Sequence, residues 1–244
     1  GDEIATPREL GMGFPGATGE VLNLRDLEQL VDQLNRLPSL QAELQVLPGE
    51  VLGASRVQLA GQREKPWRLN ANRNNDGLPS TGEQQWGLGF DWDSPLGLAD
   101  QLVLRGSGDT LSDSQRQSDS QSLIYSLPYG WWTVSYSYNQ NSYRSQTEAA
   151  GFDFKQHGDS QTQQLRAERV LQRDEVSKTA ASIAAGHIRT RNYLEDALLD
   201  VSSSDLSSAQ LGFNHGRRIG SAFVNLDLGW QRGTGWFGAQ SNGD

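Results

Sequence analysis

Residues 84–92 read "QQWGLGFDW", and this stretch decides the fold. Trp86, Leu88, Phe90 and Trp92 fall on one side of an extended chain, and Gln85, Gly87, Gly89 and Asp91 on the other. Strict alternation over nine residues is the period of a β-strand, whose successive side chains point to opposite faces. The same pattern returns in "WWTVSYSY" (131–138), where Trp132, Val134, Tyr136 and Tyr138 oppose Thr133, Ser135 and Ser137. It returns again at 222–230, where Ala222, Val224, Leu226, Leu228 and Trp230 oppose Phe223, Asn225, Asp227 and Gly229. Weaker segments near 67–74, 100–107, 121–129, 161–172, 177–190 and 206–215 bring the expectation to about nine strands of roughly ten residues each, the length that spans an outer membrane.

The face opposite the apolar one carries Gly, Ser, Thr, Gln, Asn and Asp, where a soluble sandwich usually shows Lys, Glu and Arg to solvent. Small neutral polar side chains suit a crowded, hydrated lumen. Trp86, Trp92, Tyr129, Trp131, Tyr138 and Trp230 stand at strand ends, where interfacial girdles sit, although aromatics also fill sandwich cores. "SDSQRQSDSQ" (112–121) and "NQNSYRSQTEAAGFDFKQHGD" (139–159) read as polar loops, one short and one long.

The totals agree. The chain has 244 residues, a net charge of −9 and no cysteine. An acidic chain without a Lys/Arg cluster has no surface for phosphates, so no nucleic-acid partner is expected. Without cysteine there is no disulfide, thiolate metal site or thiol nucleophile. No apolar run is long enough for a transmembrane helix, whereas 27 Gly, 7 Trp and a mean hydropathy of −0.62 are compatible with strands that are apolar only on alternate residues. The opening "GDEIATPREL" lacks the charged and apolar regions of a signal peptide and looks like a cut.

Residues 1–61 differ. "NLRDLEQLVDQLNRLPS" (23–39) places Leu24, Leu27, Leu30, Val31, Leu34 and Leu37 on one helical face, with Asn23 as N-cap and Pro38 past the end. Leu40, Ala42, Leu44 and Val46 then alternate with Gln41, Glu43 and Gln45, a half-buried strand closed by Pro48-Gly49, and "GASRVQLAG" (53–61) is a second strand. The fold class is therefore mainly β: a small α/β unit at 1–61 that lacks its opening strand, followed by antiparallel transmembrane strands over 62–244.

Few residues invite chemistry. Asn72, Asn74, Asp76, Gly77 and Glu83 fall at positions 1, 3, 5, 6 and 12 of the EF-hand loop, but position 1 is Asn, Pro79 interrupts the loop and both flanks alternate as strands, so a turn is expected instead. His157, His187 and His215 are widely separated in sequence. "VLRGSGD" (103–109) lacks the third glycine and the helix of a phosphate loop, and Asp91, Asp93 and Asp100 read as a strand end entering a Pro-Gly turn rather than glycosidase carboxylates. No catalytic residues, cofactor or metal are expected.

With these residues in hand, "GFPGATGEVLNLRDLEQLVDQLNRLPS" (13–39) and "LQVLPGEVLGASRVQL" (44–59) closely resemble the second POTRA domain of the two-partner secretion transporters, the ShlB/FhaC/HecB/CdiB branch of the Omp85 superfamily. "STGEQQWGLGFDWDSPLGLADQLVLRGSGD" (80–109) resembles the first hairpin of that family's barrel, and "LGWQRGTGWFGA" (228–239) a later strand and loop. The resemblance implies a barrel of about sixteen strands in the outer membrane, with periplasmic POTRA domains that capture an unfolded exoprotein and pass it to the cell surface without nucleotide. The partners it implies are a secreted hemagglutinin, hemolysin or contact-dependent inhibition toxin and the outer-membrane lipid. It also implies that cargo adds beside a strand and a helix groove, which places candidate contacts at Arg25, Glu28 and Asp32 on the helix and Leu40, Gln41, Glu43 and Gln45 on the strand.

The chain departs from the family by lacking its late Arg-Gly-aromatic loop motif, its plug helix, its first POTRA domain and its last strands. An open barrel would leave strand edges unpaired in lipid, so a fragment of a longer transporter is expected. Two other classes compete: an Omp85-type factor that inserts other barrels, and a secreted β-rich adhesin or binding module. The latter calls for charged solvent faces or fixed-period repeats, and neither is present.

Overall fold

The computed structural model describes residues 4–16, 23–48, 55–78, 81–109, 116–149 and 151–240. Two helices, α1 (Pro7–Gly13) and α2 (Leu24–Asn35), precede the hairpin of β1 (Leu40–Pro48) and β2 (Ser55–Arg63). After three residues the chain enters β3 (Trp67–Asn74), then β4 (Gln85–Asp93), β5 (Gln101–Asp109), β6 (Gln117–Tyr129), β7 (Trp132–Ala149), β8 (Phe152–Arg173) and β9 (Ser177–Leu194). The short β10 (Ala197–Leu198), β11 (Ser204–Ile219) and β12 (Ala222–Thr234) complete it.

Each long strand from β3 to β12 pairs antiparallel with the next, except that the two-residue β10 pairs back on β9 and lets β11 take its place beside β9. The result is a single up-and-down meander. β3 and β12 stand at its two ends, and among the described residues they do not pair with each other.

The alternation read from sequence holds. On β4, Leu88 is 50 % exposed while Gly89 and Asp93 are buried, and other strands of the sheet bring Leu69, Leu165, Leu211 and Leu228 to the same outer face. An apolar belt of this extent left open on a sheet is the solution for a bilayer and not for water. No helix among the described residues is long and apolar enough to cross a membrane. Trp67 sits directly across from Trp92, with the Lys65 ammonium 3.3 Å from the Trp67 ring centre, and the Arg169 guanidinium approaches the Trp132 ring at 5.4 Å. Aromatics topped by cations mark one edge of the belt.

Two sequence expectations are corrected. The segment 139–159 is not a loop: β7 runs to Ala149 and β8 resumes at Phe152, with Asn139 opposite Thr162 and Arg144 opposite His157. Of 112–121, residues 112–115 lie outside the described residues, and Gln117 already opens β6. At 18 and 22 residues, β7 and β8 exceed the roughly 9–11 that span a bilayer, so they continue into water. There both faces are polar, and the alternation that reveals a strand vanishes while its ladder of hydrogen bonds continues. The segment Pro7–Gly13 is a helix with a capping box: Glu9 N–H donates to Thr6 Oγ1 at 3.3 Å and Thr6 N–H to Glu9 Oε2 at 2.7 Å.

Among the described residues, the compact apolar core is in the N-terminal unit, where Leu30, Leu34 and Leu37 pack with Leu40, Ala42, Ala5 and Ala99. Of the predicted stripe, Leu30, Leu34 and Leu37 therefore face a core, whereas Leu24 at its start stands exposed. Ala99 comes from the turn between β4 and β5, so that core already includes part of the barrel.

Candidate functional site

The site is the joint between α2 and the barrel rim, together with the strand that leads from it. Asn23 caps α2 by accepting the Arg25 N–H at 3.0 Å, and Gly13 lets α1 lie against it, since a Cβ there would stand 2.9 Å from Leu30 Cδ1. With its leucines turned to the core, α2 presents a second stripe at helical spacing: Gln29, Asp32, Gln33 and Arg36.

Each member of that stripe reaches a hairpin turn of the sheet. Between β6 and β7, the Gly130 carbonyl accepts from Gln33 Nε2 at 3.0 Å and Gln29 Nε2 at 3.3 Å, and the Gly130 N–H donates to the Met12 carbonyl at 2.7 Å. Gln33 Nε2 also reaches the Trp132 carbonyl at 3.2 Å. Gly130 has φ +54°, and a Cβ on it would sit 3.1 Å from Pro15. Only glycine fits so tight a turn without strain.

Between β4 and β5, Arg36 donates to the Ala99 carbonyl at 2.6 Å and to Ser126 Oγ. Asp93, wholly buried, accepts Ser39 N–H at 2.9 Å, both Arg68 nitrogens at 3.0 Å and Gln101 Nε2 at 3.2 Å. Asp100 ties the same turn by accepting Leu98 N–H at 3.1 Å and the Tyr125 hydroxyl at 2.9 Å. Both are structural anchors, in keeping with the sequence reading of "DWDSPLG" as a turn.

The third grip is ionic. Arg173, at the end of β8, pairs with Asp32 and also reaches Glu28 Oε2 at 3.3 Å, while Lys178 on β9 reaches Asp32 Oδ2 at 3.0 Å. Glu28 in turn holds Arg25 at 2.9 Å through both oxygens. Burial pushes the Asp32 carboxyl up, but the hydrogen bonds from Arg173 and Lys178 outweigh it and leave the group below its ordinary value. Gln29, Asp32, Gln33 and Arg36 meet Thr133, Ser135, Arg166 and Glu168 of the sheet around a cavity of about 240 Å³.

The sequence-predicted contacts thus divide into two places. Arg25, Glu28 and Asp32 are brought together with the barrel rim. Leu40 is buried in the core, and Gln41, Glu43 and Gln45 line an exposed face of β1. Sequence reasoning missed Gln29, Gln33 and Arg36, although their helical spacing was visible. It also missed that Ser207, His187 and Asp205 meet on β9 and β11, with Ser207 Oγ 2.9 Å from His187 Nδ1 and His187 Nε2 3.5 Å from Asp205. Ser207 is buried and gives its hydroxyl proton to the Trp236 carbonyl at 2.9 Å, so the group ties down a turn and offers no nucleophile.

Comparison with known proteins fits this geometry. A model of the haemolysin secretion/activation protein ShlB/FhaC/HecB matches residues 53–244, and a POTRA-domain model matches 1–48. The chain belongs to the ShlB/FhaC/HecB family. The outer membrane transporter CdiB of Dickeya dadantii is 35 % identical over 98 % of this chain and 43 % of its own length. The hemolysin transporter protein HpmB of Proteus mirabilis is 33 % identical over 93 % of the chain and 40 % of its own. Among solved structures, CdiB from Escherichia coli superposes with a TM-score of 0.91 at 35 % identity, covering 98 % of this chain and 45 % of that one. The chain thus spans about two fifths of the length of the curated relatives it matches. Membership of the ShlB/FhaC/HecB family places the sheet in the bacterial outer membrane and the POTRA part, with α2 and β1, in the periplasm. The turns that hold α2 are therefore the periplasmic ones, and the long ends of β7 and β8 lie at the cell surface.

Proposed function

We propose that this chain is the POTRA receptor and the first strands of an outer-membrane pore that exports one large unfolded exoprotein, of the hemagglutinin, hemolysin or contact-dependent inhibition type. In this reading residues up to 63 receive the cargo, and those from Trp67 onward line the path with polar and charged side chains against a lipid-facing belt. Further strands complete the barrel between β12 and β3. No cofactor takes part, and folding of the cargo outside supplies the drive.

The observation that carries the reading is the joint: α2 is fixed beneath the barrel by three separate turns, so a chain held along β1 is delivered to the mouth of the lumen. We assign the cargo contact to β1, where Gln41, Glu43 and Gln45 stand exposed and the main chain of the strand can pair with an extended segment. Arg25, Glu28 and Asp32 take part by holding the receptor in place.

Deleting the parent gene in its host tests this. Loss of one large surface protein, with other outer-membrane proteins unchanged, is the expected result. Broad depletion of barrel proteins would show an assembly factor instead.

A further inference from the structure

The last residue of α2, Asn35, turns its side-chain amide onto β1. Asn35 Nδ2 donates to the Ala42 carbonyl at 3.0 Å, and Asn35 Oδ1 accepts the Ala42 N–H at 2.6 Å. Those are the two hydrogen bonds a further strand would make with that residue, so a side chain is standing in for a peptide group.

The direction of the other backbone groups follows. In an antiparallel strand the N–H and C=O of one residue point the same way, and alternate residues point opposite ways. Ser39 faces β2, since its carbonyl accepts the Glu64 N–H at 2.8 Å, and Gln41, Glu43 and Gln45 share its parity. Leu40 and Ala42 point away: Leu40 N–H donates to the Leu37 carbonyl at 2.9 Å, and Ala42 is held by Asn35. Leu44 and Val46 therefore also present N–H and C=O to the edge that no strand covers among the described residues, beyond the reach of Asn35.

We infer that Asn35 is a register stop: an extended polypeptide pairs with β1 along Leu44–Pro48 only, and its further growth toward the helix is blocked at Ala42. The inference rests on the reading above that cargo adds to β1. A stop of this kind keeps the pairing short, which suits a receptor that must release the chain onward. It also sets the side chains of the bound segment, because a one-residue slip would turn every one of them to the opposite face. Since Leu40 and Ala42 face the core and Gln41 and Gln45 face water, the segment that fits carries apolar residues on alternate positions.

The test uses the complete transporter in detergent micelles and a synthetic peptide of alternating valine and threonine with a lysine pair at each end. Amide hydrogen exchange is read at Ala42, Leu44 and Val46. In the unsubstituted protein Ala42 is expected to exchange slowly before peptide is added, while Leu44 and Val46 exchange fast and slow down on binding. In Asn35→Ala, Ala42 becomes fast, then protected by peptide, and the peptide Kd falls on the order of tenfold for two added main-chain bonds. Asn35→Asp, which keeps the acceptor and loses the donor, gives the same sense with Ala42 only partly released. Fast exchange at Ala42 in the unsubstituted protein, or unchanged peptide affinity in both variants with Leu44 still protected, would overturn the register stop and leave edge pairing intact. Peptide that protects no amide of β1 in any variant would overturn edge pairing itself, and the register stop with it.

Discussion

The side-chain amide of Gln33 lies 3.0 Å from the carbonyl oxygen of Gly130, and both are shut off from solvent. A helix of the periplasmic domain thus sets a buried amide of its polar stripe against a barrel turn. A buried carbonyl stripped of its donor costs about 1–3 kcal/mol. Gln33→Leu, similar in size, is expected to loosen the joint by about 1–2 kcal/mol, because Gln29 still reaches the same carbonyl. Denaturant unfolding followed by hydrogen exchange across α2 checks this, and α2 should lose protection while β6 and β7 keep theirs.

The ionic grip is weaker. The Asp32 side chain is 38 % exposed, so its attraction to Arg173 and Lys178 is partly screened by water. A double-mutant cycle of Asp32→Ala and Arg173→Ala is expected to give a coupling of about 1 kcal/mol, falling with added salt. The readout is the rate of tryptic cleavage after Arg63, the residue that closes β2 just before the sheet begins.

Acid should act on the same unit. Burial pushes the Glu9 carboxyl up, but hydrogen bonds from Arg63, Ser94 and Thr6 outweigh it and hold the group at about 2. Asp32 is also lowered. A carboxylate whose folded value lies below its unfolded one adds stability that is complete above the unfolded value, near 4, and is lost as pH falls toward the folded one. The N-terminal unit is therefore expected to hold steady from pH 7 to about 5 and to weaken between about 4 and 2. Amide hydrogen exchange in α1 and α2 across that range should show the transition, and Glu9→Gln should reduce its amplitude.

The belt yields a test of orientation. Leu88 is half exposed in the middle of the outer face of β4, whereas Gln210 lies on the inner face of β11, where it accepts a hydrogen bond from Gln164. Leu88→Arg is expected to cost about 2–4 kcal/mol of membrane insertion, and Gln210→Arg little. Comparing the amounts of the two variants recovered in vesicle membranes measures the difference.

What was legible in the sequence and what was not have physical causes. Trp86 to Trp92 announced a lipid-facing strand because one face met lipid and the other a wet lumen, and that contrast writes period two into the residues. Beyond the bilayer the contrast disappears, so Asn139 to Asp159 looked like a loop although it continues two strands. The leucines of α2 were plain from their spacing. Its polar stripe was equally regular, but its acceptors are the main-chain carbonyls of Gly130 and Ala99, which carry no residue identity. Asn35 was hidden for the same reason, since its partner is the backbone of Ala42. The short helix α1 was readable after all in Thr6-Pro7-Arg8-Glu9, a capping box with proline at the first turn.

The central claim is that an extended cargo chain pairs with the free edge of β1, and one substitution tests it most directly. Leu44 turns its N–H away from β2, so Leu44→Pro in the complete protein removes a donor from the free edge and leaves the β1–β2 ladder in place, as proline does on an edge strand. Surface display of the exported polypeptide is measured beside the outer-membrane level of the transporter. The account predicts that export falls sharply while the transporter remains at its normal level. Export at the unsubstituted rate, with the transporter equally abundant, would contradict it.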